Sequence, residues 1–330
     1  MKSVEHGKIM KNKSFFYIKL LEREIIDMFK NDLKTNFMIE IDQKSSSSVF
    51  LSLILGNKKL SEKCNLNGIK NDPARYLMLK SENFFKKYDN VNKETLEILK
   101  NNRQLHKKIF MCYCYNQRFM GRLKILVNEF KIDEKSAKII SKEYNNFINC
   151  EMDDLKKQLT LINNMVKYVV KRNNEGIILN TLDGCKIKWK IYMKDKNRVK
   201  KKYNSYHMNI YNIKILDVRK IIAGFLPNLI HSIDGAVMRI IISEMLKRKY
   251  IINHLHDSIQ CNPNKLDEIY DIIKNIYSSD YMKNILEKCF ITPMRNSLIE
   301  EDIPEFDNIY EKYNSIKNEI VVVKDDIYYK

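Results

Sequence analysis

The chain of 330 residues lacks the features that mark a disulfide-bonded, zinc-bound or membrane-spanning protein. Its seven cysteines are odd in number and no two form a Cys-x-x-Cys pair. No apolar run reaches the length of about 18 residues that a membrane span needs. Acidic residues within positions 1–30 speak against a secretory signal or a transit peptide. We therefore expect an intracellular, reducing compartment and no membrane partner.

Glycine and proline are also scarce, at 8 and 5 residues. We find no internal repeat and no linker rich in either residue, and 44% of the chain is hydrophobic. A chain of this length and composition can bury a sizeable core, so the sequence predicts one large domain or two closely packed ones.

Acidic residues are outnumbered, with 41 Asp and Glu against 59 Lys and Arg, which gives a formal net charge of +18. This excess favours a polyanionic partner, because each phosphate that a cation neutralises releases condensed counterions. A low-GC coding sequence, rich in Lys, Asn and Ile codons, would raise the charge without any bound nucleic acid. Charge alone leaves both interpretations open.

Hydrophobic periodicity predicts mixed α and β structure. Helices are expected over 14–34, over most of 73–177 from Asp72-Pro73 onward, and over 266–277. Strands are expected over 37–41 and 250–255, the second followed by a tight turn and a short return strand. Asn228, directly after Pro227, is predicted to cap a helix that ends near Arg248.

Residues 177–191 carry a strong hairpin pattern, with alternating residues on both sides of Asp183-Gly184. The second strand has one apolar face and one face of lysines. Residues 186–202 hold nine cations and one acid, interleaved with Trp189 and Tyr192, which suits a nucleic-acid surface. A solvated hairpin tip is the alternative. The predicted nucleic-acid contacts are Lys186, Lys188, Lys190, Arg198, Lys200, Lys201 and Lys202.

Two aspartates far apart in the sequence, Asp42 and Asp257, each end a short apolar run. Carboxylates on neighbouring strand ends can hold two divalent metal ions, as nucleotidyl transfer requires. An aspartate at a strand end is otherwise usually a turn residue.

One helix face is predicted to run from cations to an aromatic ring, because Arg103, Lys107, Met111 and Tyr115 fall four residues apart. They climb about 18 Å along a helix, the length of a nucleoside triphosphate with room for base stacking. The alternative is a solvated face that ends in a half-buried tyrosine.

Four motifs resemble the palm and fingers of the single-subunit RNA polymerases of bacteriophages, mitochondria and organellar plasmids, and they follow one another along the chain in the order that this family shows. Arg103, Lys107, Lys108 and Tyr115 fit the fingers signature Arg-x3-Lys-(Arg/Lys)-x6-Tyr. The other motifs are His-Asp-Ser at 256–258, Pro-Asn-Leu-Ile-His-Ser-Ile-Asp at 227–234, and a partial match at Asp42.

The resemblance implies an α+β right-hand fold, with an antiparallel palm sheet and largely helical fingers. It assigns 37–70 and 232–330 to the palm and 71–231, with the hairpin 177–206, to the fingers. Residues 1–36 would be a remnant of an upstream region. The resemblance predicts a DNA-directed RNA polymerase that transfers nucleotides from NTPs to an RNA 3′-hydroxyl. Relatives carry several hundred residues before the first palm aspartate, so a truncated polymerase or one piece of a split enzyme is the rival hypothesis.

The resemblance also implies the roles of individual residues. Asp42 and Asp257 would bind two Mg²⁺ ions, and Arg103 and Lys107, aided by Lys108, would hold the triphosphate. Tyr115 and His231 would sense the sugar 2′-hydroxyl and the minor-groove side of the new base pair. The implied partners are a DNA template, an RNA product and NTPs, in a mitochondrion that carries a plasmid or in a virus-infected cell.

Ser47 argues for ribonucleotides. Family A DNA polymerases carry glutamate at that position, where it blocks the ribose 2′-hydroxyl, whereas the RNA enzymes have a small residue. A DNA polymerase relative and an inactive nucleic-acid-binding piece remain the rival hypotheses. Three departures from the family pattern bear on activity, namely Lys44, Val49 and Asn116.

Overall fold

The structure is a computed structural model that describes most of the chain. The described residues are 23, 26, 30, 38–42, 46–64, 66, 72–115, 117, 119–152, 154–173, 175–194, 202–203, 206–207, 211–256, 258–318 and 320. Most of the predicted helix over 14–34 lies outside them, as do Asp257, Arg198, Lys200 and Lys201. For Asp42 and Lys202 only the backbone is described.

The chain divides into two compact units, which are described separately. Unit 1 comprises residues 1–43, 241–273 and 329–330, and unit 2 comprises 44–240 and 274–328. These limits differ from the palm and fingers limits expected from the sequence, which stay a prediction. The described part is mostly helical with small antiparallel sheets, in agreement with the coarse α+β prediction.

Unit 2 begins with a run of helices. They are α1 (Ser46–Leu55), α2 (Lys58–Lys63), α3 (Pro73–Phe85), α4 (Lys93–Asn101), α5 (Arg103–Cys114), α6 (Phe119–Asn128), α7 (Glu134–Glu151) and α8 (Leu155–Arg172). The prediction of helical structure over most of 73–177 is therefore confirmed.

Side-chain caps fix where these helices begin. Asp72 accepts a hydrogen bond from the Ala74 amide at 3.0 Å, and Pro73 occupies the first turn of α3. Asn102 caps α5 in the same way, through the Leu105 amide at 3.0 Å. The residue after α1 is Gly56, at a φ of +58°, and a Cβ there would lie 2.5 Å from the Asn318 carbonyl oxygen.

The core of unit 2 joins α3, α5 and α7 through aromatic rings. Phe85, Tyr144 and Phe147 are fully buried, with ring centroids 5.5–6.0 Å apart. Burying such a ring stabilises the fold by about 1.5–3 kcal/mol. His106 of α5 joins this cluster, with its ring centroid 5.9 Å from that of Tyr144, so one side of α5 lies in the core and its other side is accessible.

Several short strands follow α8. They are β2 (Ile177–Asn180), β3 (Lys186–Trp189), β4 (Tyr192–Lys194), β5 (Lys202–Tyr203), β6 (Tyr206–His207) and β7 (Tyr211–Leu216). Strands β2 and β3 form the predicted hairpin, with Ile177 opposite Trp189 and Asn180 opposite Lys186. Exposed lysines alternate with half-buried Ile187 and Trp189 along β3, which confirms the predicted two-faced strand.

The next helix begins earlier than expected. Helix α9 spans Val218–Lys247 and contains Pro227 in its interior, so the prediction that Asn228 caps it is wrong. Its start is set by Asp217, whose carboxylate accepts a hydrogen bond from the Lys220 amide at 3.1 Å. The side-chain amide of Asn228 donates instead to the Gly224 carbonyl at 2.7 Å, in the helical turn where Pro227 lacks a backbone N–H. Burial of Ile221 and Phe225 stabilises the turns before the proline.

Helix α9 is long and apolar enough to meet a length-and-composition criterion for a membrane span. Half of its most apolar window is buried inside the protein, as expected for a core helix.

The sheet of unit 1 pairs the predicted strands. Its order is β1 (Ile39–Asp42), β9 (Ser258–Cys261) and β8 (Ile252–Leu255), all antiparallel. The predicted hairpin is confirmed, and His256 in its turn has a φ of 56°, which histidine tolerates better than most residues.

The 3₁₀ turns Pro263–Lys265, Asp280–Met282 and Glu300–Asp302 accompany four longer helical segments. These four are α10 (Leu266–Ser278), a π-helical segment (Glu287–Ile291), α11 (Thr292–Arg295) and α12 (Ile303–Asn314). Helix α12 fixes the end of α1 in unit 2, since Tyr313 Oη lies 2.9 Å from the Leu55 carbonyl oxygen.

Candidate active site

The accessible side of α5 carries the residues that the fingers signature named. Arg103, Lys107, Lys108 and Tyr115 are all half-buried, whereas Leu105, Ile109 and the other core-facing residues of the helix are buried. The one-sided arrangement expected from the four-residue spacing is therefore present in unit 2.

Arg103 is engaged in an ion pair at the start of this face. Its Nε donates to the carboxylate of Asp72, the residue that also caps α3. Asp72 is buried, while the Arg103 side chain is 38% exposed. The pair joins the first turns of α3 and α5, so Arg103 has a structural contact that the signature alone did not predict.

The two lysines differ in their surroundings. Lys108 pairs with Glu129, and its Nζ lies 6.0 Å from the centre of the Phe130 ring. Within the described part of the chain, no residue forms a hydrogen bond or an ion pair with the Lys107 ammonium. Lys107 is thus the cation on this face that can bind an anionic ligand without first breaking an ion pair.

Tyr115 and His231 meet although 116 positions separate them in the sequence. Tyr115 Oη lies 3.3 Å from His231 Nε2, and the ring centroids are 5.1 Å apart. Tyr115 is the residue that ends α5, and His231 projects from the exposed side of α9. The structure therefore brings together two residues that the resemblance assigned to sugar recognition.

Ser47 lies in the first turn of α1 and is 8% exposed. The prediction that it leaves space for a ribose 2′-hydroxyl stays a prediction.

The backbone of unit 1 places Asp42, one of the two predicted metal ligands, at one end of the sheet. Asp42 is paired with Ser258, which places their Cα atoms about 5 Å apart. Asp257 directly precedes Ser258 in the sequence, although it lies outside the described residues. Paired carboxylates suit Mg²⁺, a hard cation that prefers oxygen ligands. The described residues contain no group of three or more His, Cys, Asp or Glu that could hold a metal ion.

The lysines of the hairpin are partly neutralised. Lys188 pairs with Glu175, and Lys190 Nζ lies 3.4 Å from the same carboxylate. Lys186 is exposed, and the described residues supply no ion-pair partner for it. Lys202 lies in β5, where only its backbone is described.

A bidentate ion pair attaches the hairpin to α9, and the sequence analysis did not predict this ion pair. Arg239 donates from Nε and Nη2 to the two carboxylate oxygens of Asp183, at 2.6 and 3.0 Å. These hydrogen bonds lower the pKa of Asp183 to about 2. At the end of the hairpin away from its turn, the Trp189 ring packs against Gly224 of α9. A Cβ on Gly224 would lie 2.9 Å from that ring. The sequence signalled only a turn at Asp183-Gly184, because the partner residue is far along the chain.

The family model of DNA-dependent RNA polymerases matches residues 76–326. Among solved structures, the chain is similar to the POL domain of Pol1 from M. smegmatis in complex with DNA primer-template and dNTP, at 14% sequence identity and a TM-score of 0.43. That similarity covers 77% of this chain and 38% of the other chain. Comparison with curated protein sequences finds no match.

Proposed function

Since the chain belongs to the DNA-dependent RNA polymerase family, we propose that it performs template-directed nucleotidyl transfer from NTPs to the 3′-hydroxyl of an RNA. The family supports nucleotidyl transfer in general. The finer proposal is carried by one observation, the contact between Tyr115 and His231 at 3.3 Å. Each residue belongs to a different motif, and their meeting is what a shared role in nucleotide recognition requires.

The accessible side of α5 is the proposed triphosphate site. Lys107 is the leading candidate, because its ammonium is not engaged by another described residue. Arg103 keeps part of its guanidinium exposed and can add a second contact from beside Asp72. Lys108 would contribute long-range attraction, since Glu129 already neutralises it.

Asp42 and Asp257 are the proposed ligands of two Mg²⁺ ions. The pairing of Asp42 with Ser258 and the preference of Mg²⁺ for carboxylate oxygens support this proposal. When bound, such ions activate the attacking hydroxyl and stabilise the leaving pyrophosphate. The chain's own contribution would be to hold the two carboxylates near the end of a sheet in which Asp42 pairs with Ser258, the residue after Asp257, and whose buried face includes Ile41 and Ile259.

We propose that residues of unit 2 determine the choice between NTPs and dNTPs. Tyr115 and His231 offer a hydroxyl and an imidazole nitrogen in one place, and either can exchange a hydrogen bond with a ribose 2′-hydroxyl. Ser47 replaces the bulkier glutamate of DNA polymerases and would spare the room that this hydroxyl needs. The preferred substrates are therefore NTPs.

The proposed partners are a DNA template and an RNA product, in keeping with the net charge of +18. We propose that the hairpin, with Lys186 exposed on β3, contacts the sugar-phosphate backbone of the template or product. We also propose that the protein acts inside a cell, in a mitochondrion that carries a plasmid or in a virus-infected cell. Palm and fingers remain the proposed names for the two functional regions.

A primed-template extension assay tests the proposal. Wild-type protein, Mg²⁺ and NTPs should give extended RNA, and removing Mg²⁺ with EDTA should stop extension. Nucleic-acid binding without extension would favour the rival, a piece of a split or inactive polymerase. Extension with dNTPs alone would favour the DNA polymerase alternative.

A further inference from the structure

Arg122 is a buried cation whose partners are all backbone carbonyls. It lies in α6 and is 5% exposed. Its Nη1 donates to the Gln117 carbonyl at 2.7 Å, and its Nη2 donates to the Ser141 carbonyl at 3.0 Å. Nε contacts the same Ser141 oxygen at 3.3 Å. No acidic side chain among the described residues pairs with this guanidinium.

These contacts converge on the connection that follows Tyr115. The Gln117 amide donates to the Cys112 carbonyl at 2.7 Å, which closes the end of α5, while its own carbonyl is held by Arg122. The side chain of Gln117 packs over Gly121, where a Cβ would lie 2.2 Å from its Nε2. Gln117 is therefore held at its amide, its carbonyl and its side chain.

A second anchor holds Phe119, the first residue of α6 after the connection. Ser141 Oγ, on α7, donates to the Phe119 carbonyl at 2.7 Å. The same serine supplies the carbonyl that Arg122 contacts, so one turn of α7 and the side chain of Arg122 fix both sides of the connection between α5 and α6.

Holding an arginine here is costly, because a guanidinium loses its hydration on burial and finds no opposite charge. Burial accordingly lowers the pKa of Arg122. An apolar residue would fill the space between α6 and α7 at less cost, but it could not bind two carbonyls at once. The contacts with Gln117 and Ser141 are therefore what the arginine supplies beyond packing.

We propose that Arg122 is a positioning residue for Tyr115, acting through the Gln117 carbonyl to hold the phenol against His231 and so to set the choice between NTP and dNTP. Tyr115 is the C-cap residue directly after α5, where its amide donates to the Met111 carbonyl at 2.9 Å, and two residues later Gln117 donates to the Cys112 carbonyl. Its orientation therefore depends on the connection that Arg122 holds. The inference rests on the proposed function, since sugar choice presupposes nucleotide incorporation.

The test compares Arg122→Met and Arg122→Lys with Arg295→Met as a matched control. Arg295 lies on α11 and donates from Nε and Nη2 to the Asp307 carboxylate, so its replacement also removes an arginine and its contacts. We expect Arg122→Met to lower the NTP/dNTP ratio of kcat/KM about tenfold, mainly through a higher KM for NTP. Arg122→Lys, which keeps one charged donor, should recover part of the ratio, and Arg295→Met should leave it unchanged.

A double-mutant cycle separates positioning from general packing. If Arg122 acts through Tyr115, then Tyr115→Phe should lower the ratio much less in the Arg122→Met protein than in the wild type. Additive effects, or a loss of kcat with an unchanged ratio, would overturn the proposal. Should Arg122→Met fail to fold, the same cycle run with Arg122→Lys decides.

Nitration by tetranitromethane gives a readout that needs no activity. Mapped by mass spectrometry, nitration of Tyr115 should become at least threefold faster in Arg122→Met and Arg122→Lys. Tyr168 on α8, which donates to the Asp302 carbonyl at 3.1 Å, should not change and serves as an internal control. Unchanged nitration of Tyr115 overturns the positioning role even in an active enzyme. The wild type could also incorporate no nucleotide while the Arg122 variants still show faster nitration of Tyr115. That result supports the positioning contact and refutes the proposed function instead.

Discussion

The sheet end of unit 1 and the accessible side of α5 in unit 2 carry opposite charge and obtain it by different means. Strand pairing places Asp42 beside Ser258, the neighbour of Asp257 in the sequence. Helical periodicity places Arg103, Lys107 and Tyr115 on one side of α5. We propose that the carboxylates bind metal ions and that the cations bind phosphate. The comparison predicts that the two regions fail differently when mutated.

The largest effect is expected at the sheet end. Asp257→Asn should lower single-nucleotide incorporation by at least about a thousandfold and leave the Kd for primed template nearly unchanged, because we propose that this carboxylate binds the metal ions and not the nucleic acid. Asp42→Asn should behave alike. Glu40→Gln on the same strand is the control, and we expect it to retain activity. Wild-type turnover in either aspartate variant would refute that residue as a metal ligand.

The buried side of α5 gives the next effect, on stability instead of activity. His106 is fully buried against Tyr144 and the Leu99 carbonyl, and burial lowers its pKa to about 4. The unfolded chain binds a proton near pH 6.5, whereas the folded chain does not until about pH 4. Folding stability from this group is therefore complete above about pH 6.5 and falls as the pH drops towards 4, by at most about 3 kcal/mol.

Urea unfolding at pH 7 and pH 5 measures this effect. The fall in the free energy of unfolding between the two pH values should be smaller in His106→Gln than in the wild type. An identical fall in both proteins would show that other groups cause it.

Lys107 and Lys108 allow a comparison within the accessible side of α5. Lys107→Ala should lower kcat/KM for NTP about a hundredfold, since its ammonium is the cation that is not already paired. Lys108→Ala should cost less than tenfold, because Glu129 already binds that lysine. Steady-state kinetics with a single NTP would decide, and equal losses would show that the ion pair in the structure does not determine which lysine binds phosphate.

The smallest effect is expected on the hairpin. Lys186→Ala should flatten the slope of log affinity against log salt by roughly 0.9 on duplex DNA, the value for one lost phosphate contact. Lys188→Ala should change the slope less, since Glu175 shares its charge. A titration of binding at several salt concentrations checks both, and an unchanged slope in both variants would favour a solvated hairpin tip.

Local patterns predicted much of the fold. The helix start at Pro73, the helical structure up to residue 172, the hairpin around Asp183-Gly184 and the turn at His256 all follow from residues close in sequence. Helix α9 shows the limit of such patterns, because Pro227 resembles a helix start, whereas packing of Phe225 extends the helix through it.

The candidate site was predictable only where spacing or a motif carried the information. The four-residue spacing gave the accessible side of α5. The pairs Arg103–Asp72 and Arg239–Asp183, and the contact of Arg122 with Gln117, could not be predicted, because each depends on how helices and turns pack. These contacts decide which cations remain available to a ligand.

The most direct test of the central claim is single-turnover incorporation of one nucleotide on a primed template, with NTP and dNTP measured side by side in wild type and Tyr115→Phe. We predict that the wild type prefers NTP and that Tyr115→Phe, which keeps the ring but removes the hydroxyl next to His231, lowers this preference about tenfold. A wild-type preference for dNTP would contradict the account and would favour a DNA polymerase.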